Sequence, residues 1–268
     1  MAGQLQGKRC LIVGGTTGLG LAAARRFLEE GARLVIAGRS ADKGAEAIVA
    51  LGDHGPSSFL ACDAAVPAEV EQLFREVTEL LGGLDVLYHV AGISGRRQGD
   101  GPLHECTDEG WQATLDANLK SVFLTNRAVV RHFLRQRRPG SILNMGSVLG
   151  FAPSPHFFDT AAYAATKGGI IALSRQAAAR YAPDGIRVNV LAPALVDTPM
   201  AQRAACDERI IAFLRTKQPL AGGPARAEDC ADAAVFLCSD AARLITGVVL
   251  PVDGGWCVSE GQYGGAAP

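Results

Sequence analysis

The sequence predicts an α/β fold, a doubly wound parallel sheet of about seven strands with helices on both faces. Three observations carry this. Short runs rich in β-branched residues or leucine alternate with longer Ala-rich stretches of helical periodicity throughout the chain. Several short runs (CLIVG, LVIAG, VLYHV) are apolar throughout, as strands buried on both faces of a parallel sheet require. A glycine cluster joins the first strand run to the first helical one.

In chain order, strands are expected at Arg9–Gly14, Arg33–Ala37, Ser58–Cys62, Val86–Val90, Ser141–Met145, Arg187–Leu191 and Val248–Val252. Between them, helices are expected near Leu19–Glu30, Ala41–Leu51, Ala68–Leu81, Glu109–Arg137, Ala161–Tyr181 and Glu228–Cys238, several opened by Asp or Thr and closed near Gly. Two segments break the rhythm. Ser94–Pro102 follows the fourth strand, and Asp197–Arg226 holds Pro199, Pro219, Pro224 and Gly222-Gly223 with weak helical periodicity only near Asp207–Thr216. Both follow carboxyl ends of strands, where open α/β sheets bind ligands, so the second reads as a lid. Residues 1–260 are expected to form one domain with that lid near 197–226, and 261–268 a flexible tail.

Composition narrows the function. A chain of 268 residues can bury a sizeable core. Its 26 Lys+Arg against 27 Asp+Glu give no basic excess for nucleic acid or a membrane surface, which leaves small molecules or proteins as partners. Seven cysteines (Cys10, Cys62, Cys106, Cys206, Cys230, Cys238, Cys257) are scattered without C-x-x-C pairs and read as free thiols in a reducing compartment. With no targeting pattern at the first residues and no membrane-length apolar run, a soluble cytoplasmic protein is expected.

The loop Gly14-Gly15-Thr16-Thr17-Gly18-Leu19-Gly20 has the glycines that let a backbone approach a pyrophosphate at a helix N-terminus. With 32 glycines in the chain, three at fixed spacing arise by chance roughly 0.4 times, so the position at the first strand–helix junction is the stronger argument. The second strand ends in Gly38-Arg39-Ser40, with no acid for a ribose 2′-hydroxyl and an arginine where a 2′-phosphate would be welcome. This favours NADP(H). NAD(H), with Arg39 a solvated turn residue, is the alternative.

Tyr163 and Lys167 stand at i and i+4 in a helical stretch, on one face and one turn apart. A Y-x-x-x-K arises by chance only about 0.07 times in this composition. A phenol of pKa ~10 needs about 4 kcal/mol to titrate near neutrality, and an ammonium about 4 Å away supplies a term of that size. Lys167 is therefore expected to lower the Tyr163 pKa unless burial raises it again.

With these motifs in order, the chain resembles the short-chain dehydrogenase/reductase family from Lys8 to Gly255, near its 3-oxoacyl-carrier-protein reductase-like and glucose dehydrogenase-like branch. Asp63-Ala64, Ala91-Gly92, Asn118, Ser147, Arg187-Val188-Asn189, Pro193 and Val252-Asp253-Gly254-Gly255 fit its pattern. The resemblance implies a Rossmann fold and hydride transfer between a nicotinamide and a carbonyl or carbinol carbon. Ser147 would hydrogen-bond the substrate oxygen, Tyr163 would transfer the proton, Lys167 would bind the nicotinamide ribose, and Asn118 would hold a water linking Lys167 to solvent. Gly14, Thr16, Thr17, Gly18, Leu19, Gly20, Arg39, Ser40, Asp63, Ala64, Ala91, Gly92, Tyr163, Lys167, Pro193, Val196 and Thr198 would contact the cofactor, and no metal is expected. A homotetramer built through the fourth and fifth helices and the last strand is also implied.

Four positions depart from that pattern: Val13 for a threonine, His89-Val90 for two asparagines, Ala194 for a glycine, and a lengthened Ser147–Tyr163 spacing. The first is expected to loosen the glycine loop's link to the fourth strand. The added residues bring Phe151, His156, Phe157 and Phe158 towards one wall of the site, and Arg96 and Arg97 stand within reach of an anionic substrate group. Packing and solvation are the alternatives for both groups. A cofactor-binding sensor without turnover and an isomerase or dehydratase variant are the competing functions, and the intact Ser147/Tyr163/Lys167 set argues against the sensor.

Overall fold

The structure is a computed structural model and describes residues 3–262. A parallel seven-stranded sheet is formed by β1 (Arg9–Val13), β2 (Arg33–Gly38), β3 (Ser57–Ala61), β4 (Val86–His89), β5 (Gly140–Met145), β6 (Ile186–Pro193) and β7 (Val249–Val252), in the spatial order β3-β2-β1-β4-β5-β6-β7. The chain starts at β1, builds outwards to β3, then returns to place β4 on the other side of β1. Val13 at the end of β1 is thus in register with both Ala37 and His89. Such a reversal opens a crevice at the carboxyl ends of the two central strands.

The apolar runs have a direct structural reason. Successive strand residues point to opposite faces, and both faces are core. Cys10, Ile12, Leu34 and Ile36 pack with α1 (Gly18–Glu29), α2 (Ala41–Leu51) and α10 (Ala227–Cys238), while Leu11, Val13, Val35 and Ala37 pack under α3 (Pro67–Leu81), α5 (Ser121–Gln136) and α7 (Ala161–Tyr181). A reciprocal amide pair, Asn126 with Asn144 at 2.9 Å each way, lies buried between α5 and β5, and Ser174 of α7 accepts from Asn144 at 3.0 Å. Buried amides so satisfied cost little and fix the register of the two helices on the sheet.

Two expectations need correcting. The single helix over Glu109–Arg137 is α4 (Asp108–Leu115), a π-helical turn Asp116–Lys120, and α5. The buried positions Gly110, Thr114, Asn118 and Ser121 carry no large apolar side chain, so no hydrophobic pattern marks the turn in the sequence; the Asn118 side chain is diverted to the chain after β4, and such turns are frequent at functional sites. The segment 197–226 is more structured than a loop, with α8 (Gln202–Ala205) and α9 (Glu208–Lys217). Its base is closed by Asp197 N–H donating to Ala225 and Ala225 N–H donating to Leu195, each at 2.9 Å. The short helix α6 (Pro155–Phe158) also lies in the stretch between Ser147 and Tyr163. All seven cysteines are free thiols. No helix among the described residues is long and apolar enough to cross a membrane. Of the expected tail, residues 263–268 lie outside the described residues.

Candidate active site

The crevice at the ends of β1 and β4 is a cavity running from the α1 N-terminus to the segment 197–226. At one end is the glycine loop. Gly14 has φ 88°, and a Cβ there would stand 2.5 Å from the Ala91 nitrogen, so only glycine fits between loop and β4. That contact is held by the backbone: Val90 and Ala91 N–H both donate to the Val13 carbonyl, at 2.8 and 2.9 Å. The loosening expected from Val13 is therefore not found, because main-chain groups make the link. Thr17 opens α1 without a side-chain cap, which leaves first-turn N–H groups at Gly18 and Leu19, both in the cavity lining, available to an anion. Gly14, Thr16, Thr17, Gly18 and Leu19 line the cavity. Gly20 does not; a Cβ there would strike the Gly14 carbonyl, so this glycine serves the packing of helix on loop.

Beyond the loop, Arg39, Ser40, Asp63 and Ala64 line the same cavity. Ser40 caps α2, accepting from Lys43 N–H at 3.3 Å, and Asp63 accepts from Ala65 N–H at 2.9 Å. Sequence reasoning missed Lys43, a second cation in this lining. One helical turn separates it from Arg39, and that spacing was the available signal.

In the middle of the cavity, Ser147 at the end of β5 meets Tyr163 and Lys167 from the first turns of α7, with Ala91, Gly92, Pro193, Val196 and Thr198 alongside. Ser147 accepts from Leu149 N–H at 3.2 Å and donates to the Pro193 carbonyl at 3.4 Å, and it lines the cavity together with Tyr163. Lys167 is buried and donates to the Met145 carbonyl at 2.8 Å, its ammonium 5.5 Å from the Tyr163 ring centre. Burial pushes the Tyr163 phenol up, and the Ser147 hydrogen bond draws it partly back. Burial also lowers Lys167 to about 8. The proviso on Lys167 lowering the phenol applies here: desolvation is the largest influence on both groups, and the phenol rises.

Asn118 stands behind the lining rather than in it. Its side chain accepts from Ile93 N–H (2.7 Å), donates to the Ile93 carbonyl (3.0 Å) and donates to Thr166 (3.2 Å), which in turn donates to the Tyr163 carbonyl (2.8 Å). The π turn thus ties the chain after β4 to the helix bearing the tyrosine. His89 is fully buried between Thr125 (2.8 Å) and Ser121 (3.2 Å). Burial, aided by the Lys167 charge, lowers it to about 3.

At the end nearer α8 the cavity is lined by Leu149, Phe158, Leu195, Met200 and Trp256, with Arg96 and Arg203. Arg97, Phe151, His156 and Phe157 are not in the lining; Phe157 packs instead on His156 and Phe213, with ring centres 4.4 and 5.3 Å apart. Arg203 was missed by sequence reasoning, since only the packing of α8 brings it to the site. Trp256 is buried against Phe158 and Phe213, and its indole N–H donates to Ala152 at 3.1 Å. Among the described residues no cluster of His, Cys, Asp or Glu is arranged for a metal. The uncapped α1 turn, the Gly14 approach and the two cations beyond it fit a dinucleotide.

A family profile described as enoyl-(acyl carrier protein) reductase matches residues 13–257. The chain is 37% identical over 269 residues to 3beta-hydroxysteroid dehydrogenase 1 of Eggerthella lenta, covering 98% of this chain and 99% of the relative. It is 34% identical over 258 residues to the NADP-dependent (R)-specific alcohol dehydrogenase of Lentilactobacillus kefiri, covering 96% and 99%. A solved short-chain type dehydrogenase/reductase from Mycobacterium ulcerans superposes with a TM-score of 0.88 at 28% identity, covering 96% of this chain and 92% of the other. Likeness over so much of the length, on the same sheet, means that the chain belongs to the short-chain dehydrogenase/reductase family and is an oxidoreductase.

Proposed function

We propose that the protein interconverts a carbonyl and a secondary alcohol by hydride transfer with NADP(H), using Tyr163 as general acid and base. The observation that carries this reading is that Ser147, Tyr163 and Lys167 line one cavity with the glycine loop. Bound there, the nicotinamide supplies or accepts the hydride. The chain's own residues do the rest. Ser147 holds the substrate oxygen beside the Tyr163 hydroxyl, which gives that oxygen a proton in reduction and removes it in oxidation. Lys167, anchored on the Met145 carbonyl, binds the ribose and returns a proton to the phenol. Asn118 acts through Ile93 and Thr166 as a positioning residue.

A phenol raised above its ordinary pKa is protonated at neutral pH, which suits carbonyl reduction, whereas oxidation speeds up as pH rises. Arg39, Ser40 and Lys43 favour the 2′-phosphate of NADP(H), and the L. kefiri relative is NADP-dependent. Pro193, Val196 and Thr198 sit at the nicotinamide end, under a lid over residues 197–226. The reading includes a cytoplasmic homotetramer, supported by the partly exposed Trp111, Phe123 and Leu134 along α4 and α5. A monomer by light scattering overturns that part.

The test is Tyr163→Phe in NADPH oxidation against a panel of ketones. We expect turnover to fall by roughly 10²-fold or more with thermal stability and NADPH binding retained. Undiminished turnover refutes the mechanism.

A further inference from the structure

We propose that Arg96 and Arg203 form an oxyanion-binding end of the substrate pocket, so that the natural substrate is a largely apolar hydroxy or keto acid held by its carboxylate. This inference rests on the oxidoreductase reading of the same cavity.

The two guanidiniums come from separate parts of the chain. Arg96 lies in a short helical turn after β4, and Arg203 lies on α8 of the lid. Both line the cavity that holds Ser147 and Tyr163. Each donates from Nη2 to the same acceptor, the Phe157 carbonyl, at 3.4 Å. Where a carboxylate is in reach elsewhere it is paired closely, as Arg9 with Asp85 and Arg26 with Asp232, each at 2.7 Å. Among the described residues no carboxylate lies within 4.0 Å of Arg96 or Arg203.

The nearby acids do not fill that role. Asp100 spends its two oxygens on the N–H groups of Ala162 and Tyr163, and Asp159 acts on Arg96 only from a distance. Burial and the Arg203 charge together weaken the protonated form of Arg96. Two cations drawn to one neutral carbonyl repel each other, and a carboxylate between them would replace two long hydrogen bonds with charge-assisted ones. Phe158, Trp256, Leu149, Leu195 and Met200 make the rest of this end apolar, so the site suits a hydrocarbon body carrying one anionic group. Because Arg203 belongs to the lid, the same anion would draw the lid towards the loop after β4.

The experiment compares 4-acetylbenzoate with its methyl ester as substrates for NADPH-dependent reduction, alongside calorimetric binding of each to the NADP-bound enzyme. We expect kcat/KM and affinity to favour the acid by roughly tenfold or more. Arg96→Gln and Arg203→Gln should each lower the acid-to-ester ratio several-fold, the double variant should abolish it, and Arg97→Gln, one residue away but outside the lining, should leave it as it was. An ester handled as well as the acid, with a ratio indifferent to either arginine, overturns the carboxylate site and leaves the oxidoreductase reading standing. If neither compound is reduced, the ketone panel with Tyr163→Phe decides the reaction. Calorimetry still decides the anion site: acid binding lost in the double variant supports it, and equal binding of acid and ester overturns it.

Discussion

The Asp100 carboxylate accepts from the backbone N–H of Tyr163 at 2.8 Å and, through its other oxygen, from Ala162 at 2.9 Å. Thr160, the local residue at the helix start, makes no side-chain cap, so the first turn of α7 is capped from the loop after β4. Replacing Asp100 by alanine leaves two inward-facing donors without an acceptor, at a cost of about 1–3 kcal/mol. Asp100→Ala is expected to lower the melting temperature by roughly 3–8 °C and kcat by about tenfold, with Asp100→Asn recovering part of both. Thermal melts and steady-state kinetics check this, and an unchanged kcat would show that the cap does not position the tyrosine.

Coenzyme choice should follow the charges beyond the glycine loop. Arg39→Asp combined with Lys43→Glu is expected to reduce the NADPH-to-NADH ratio of kcat/KM by roughly 10–100-fold, since two attractive contacts to a 2′-phosphate become repulsive. High salt should shrink the difference for the parent enzyme, because Arg39 is exposed. A parent that prefers NADH would end the NADP(H) assignment.

His89 gives the stability a pH dependence. The unfolded chain takes up a proton near pH 6.5, but the buried ring refuses it until about 3. Between those values the unfolded state binds more protons, so folding stability falls as pH drops through the window, by up to about 1.4 kcal/mol per pH unit. Denaturant melts from pH 7 to pH 4 should show His89→Asn with a flatter decline than the parent. Parallel curves would mean that the ring is not held neutral.

Gln218 ties the segment 197–226 to the end of β6. It is fully buried, accepts from Leu195 N–H at 2.8 Å, and donates to the carbonyls of Leu195 (3.0 Å) and Gly223 (3.2 Å). Gln218→Leu keeps the bulk and strands those groups, at about 1–3 kcal/mol for each one left unpaired. The expected result is a several-fold rise in KM and faster hydrogen exchange at Leu195 and Ala225, with the sheet amides unaffected. Protection unchanged at both positions would place the stability of the segment 197–226 elsewhere.

The sheet was readable because its strands are buried on both faces, which leaves unbroken apolar runs such as residues 10–14 that no helix period explains. The Tyr163/Lys167 pair was readable because i,i+4 spacing fixes a shared helical face. What escaped was set by tertiary contact. The π turn at Asp116–Lys120 leaves no mark in the apolar pattern, since its buried side is Thr114, Asn118 and Ser121, yet it turns Asn118 towards Ile93. Arg96 and Arg97 are adjacent in sequence, yet the short turn sends only one into the cavity, and Arg203 reaches it only when α8 packs. The direction of the Tyr163 shift turned on burial, which only the folded chain reveals.

The contact between Gly14 and Ala91 bears on the order of assembly. The glycine loop is seated on β4, which follows it by some seventy residues and reaches β1 only after β2 and β3 have been laid down on the other side. A nascent chain that ends before β4 can pair its first three strands, but its glycine loop lacks the wall that shapes it. Coenzyme should therefore have no purchase on the early half-sheet and act late, as a clamp on the closed β1–β4 seam.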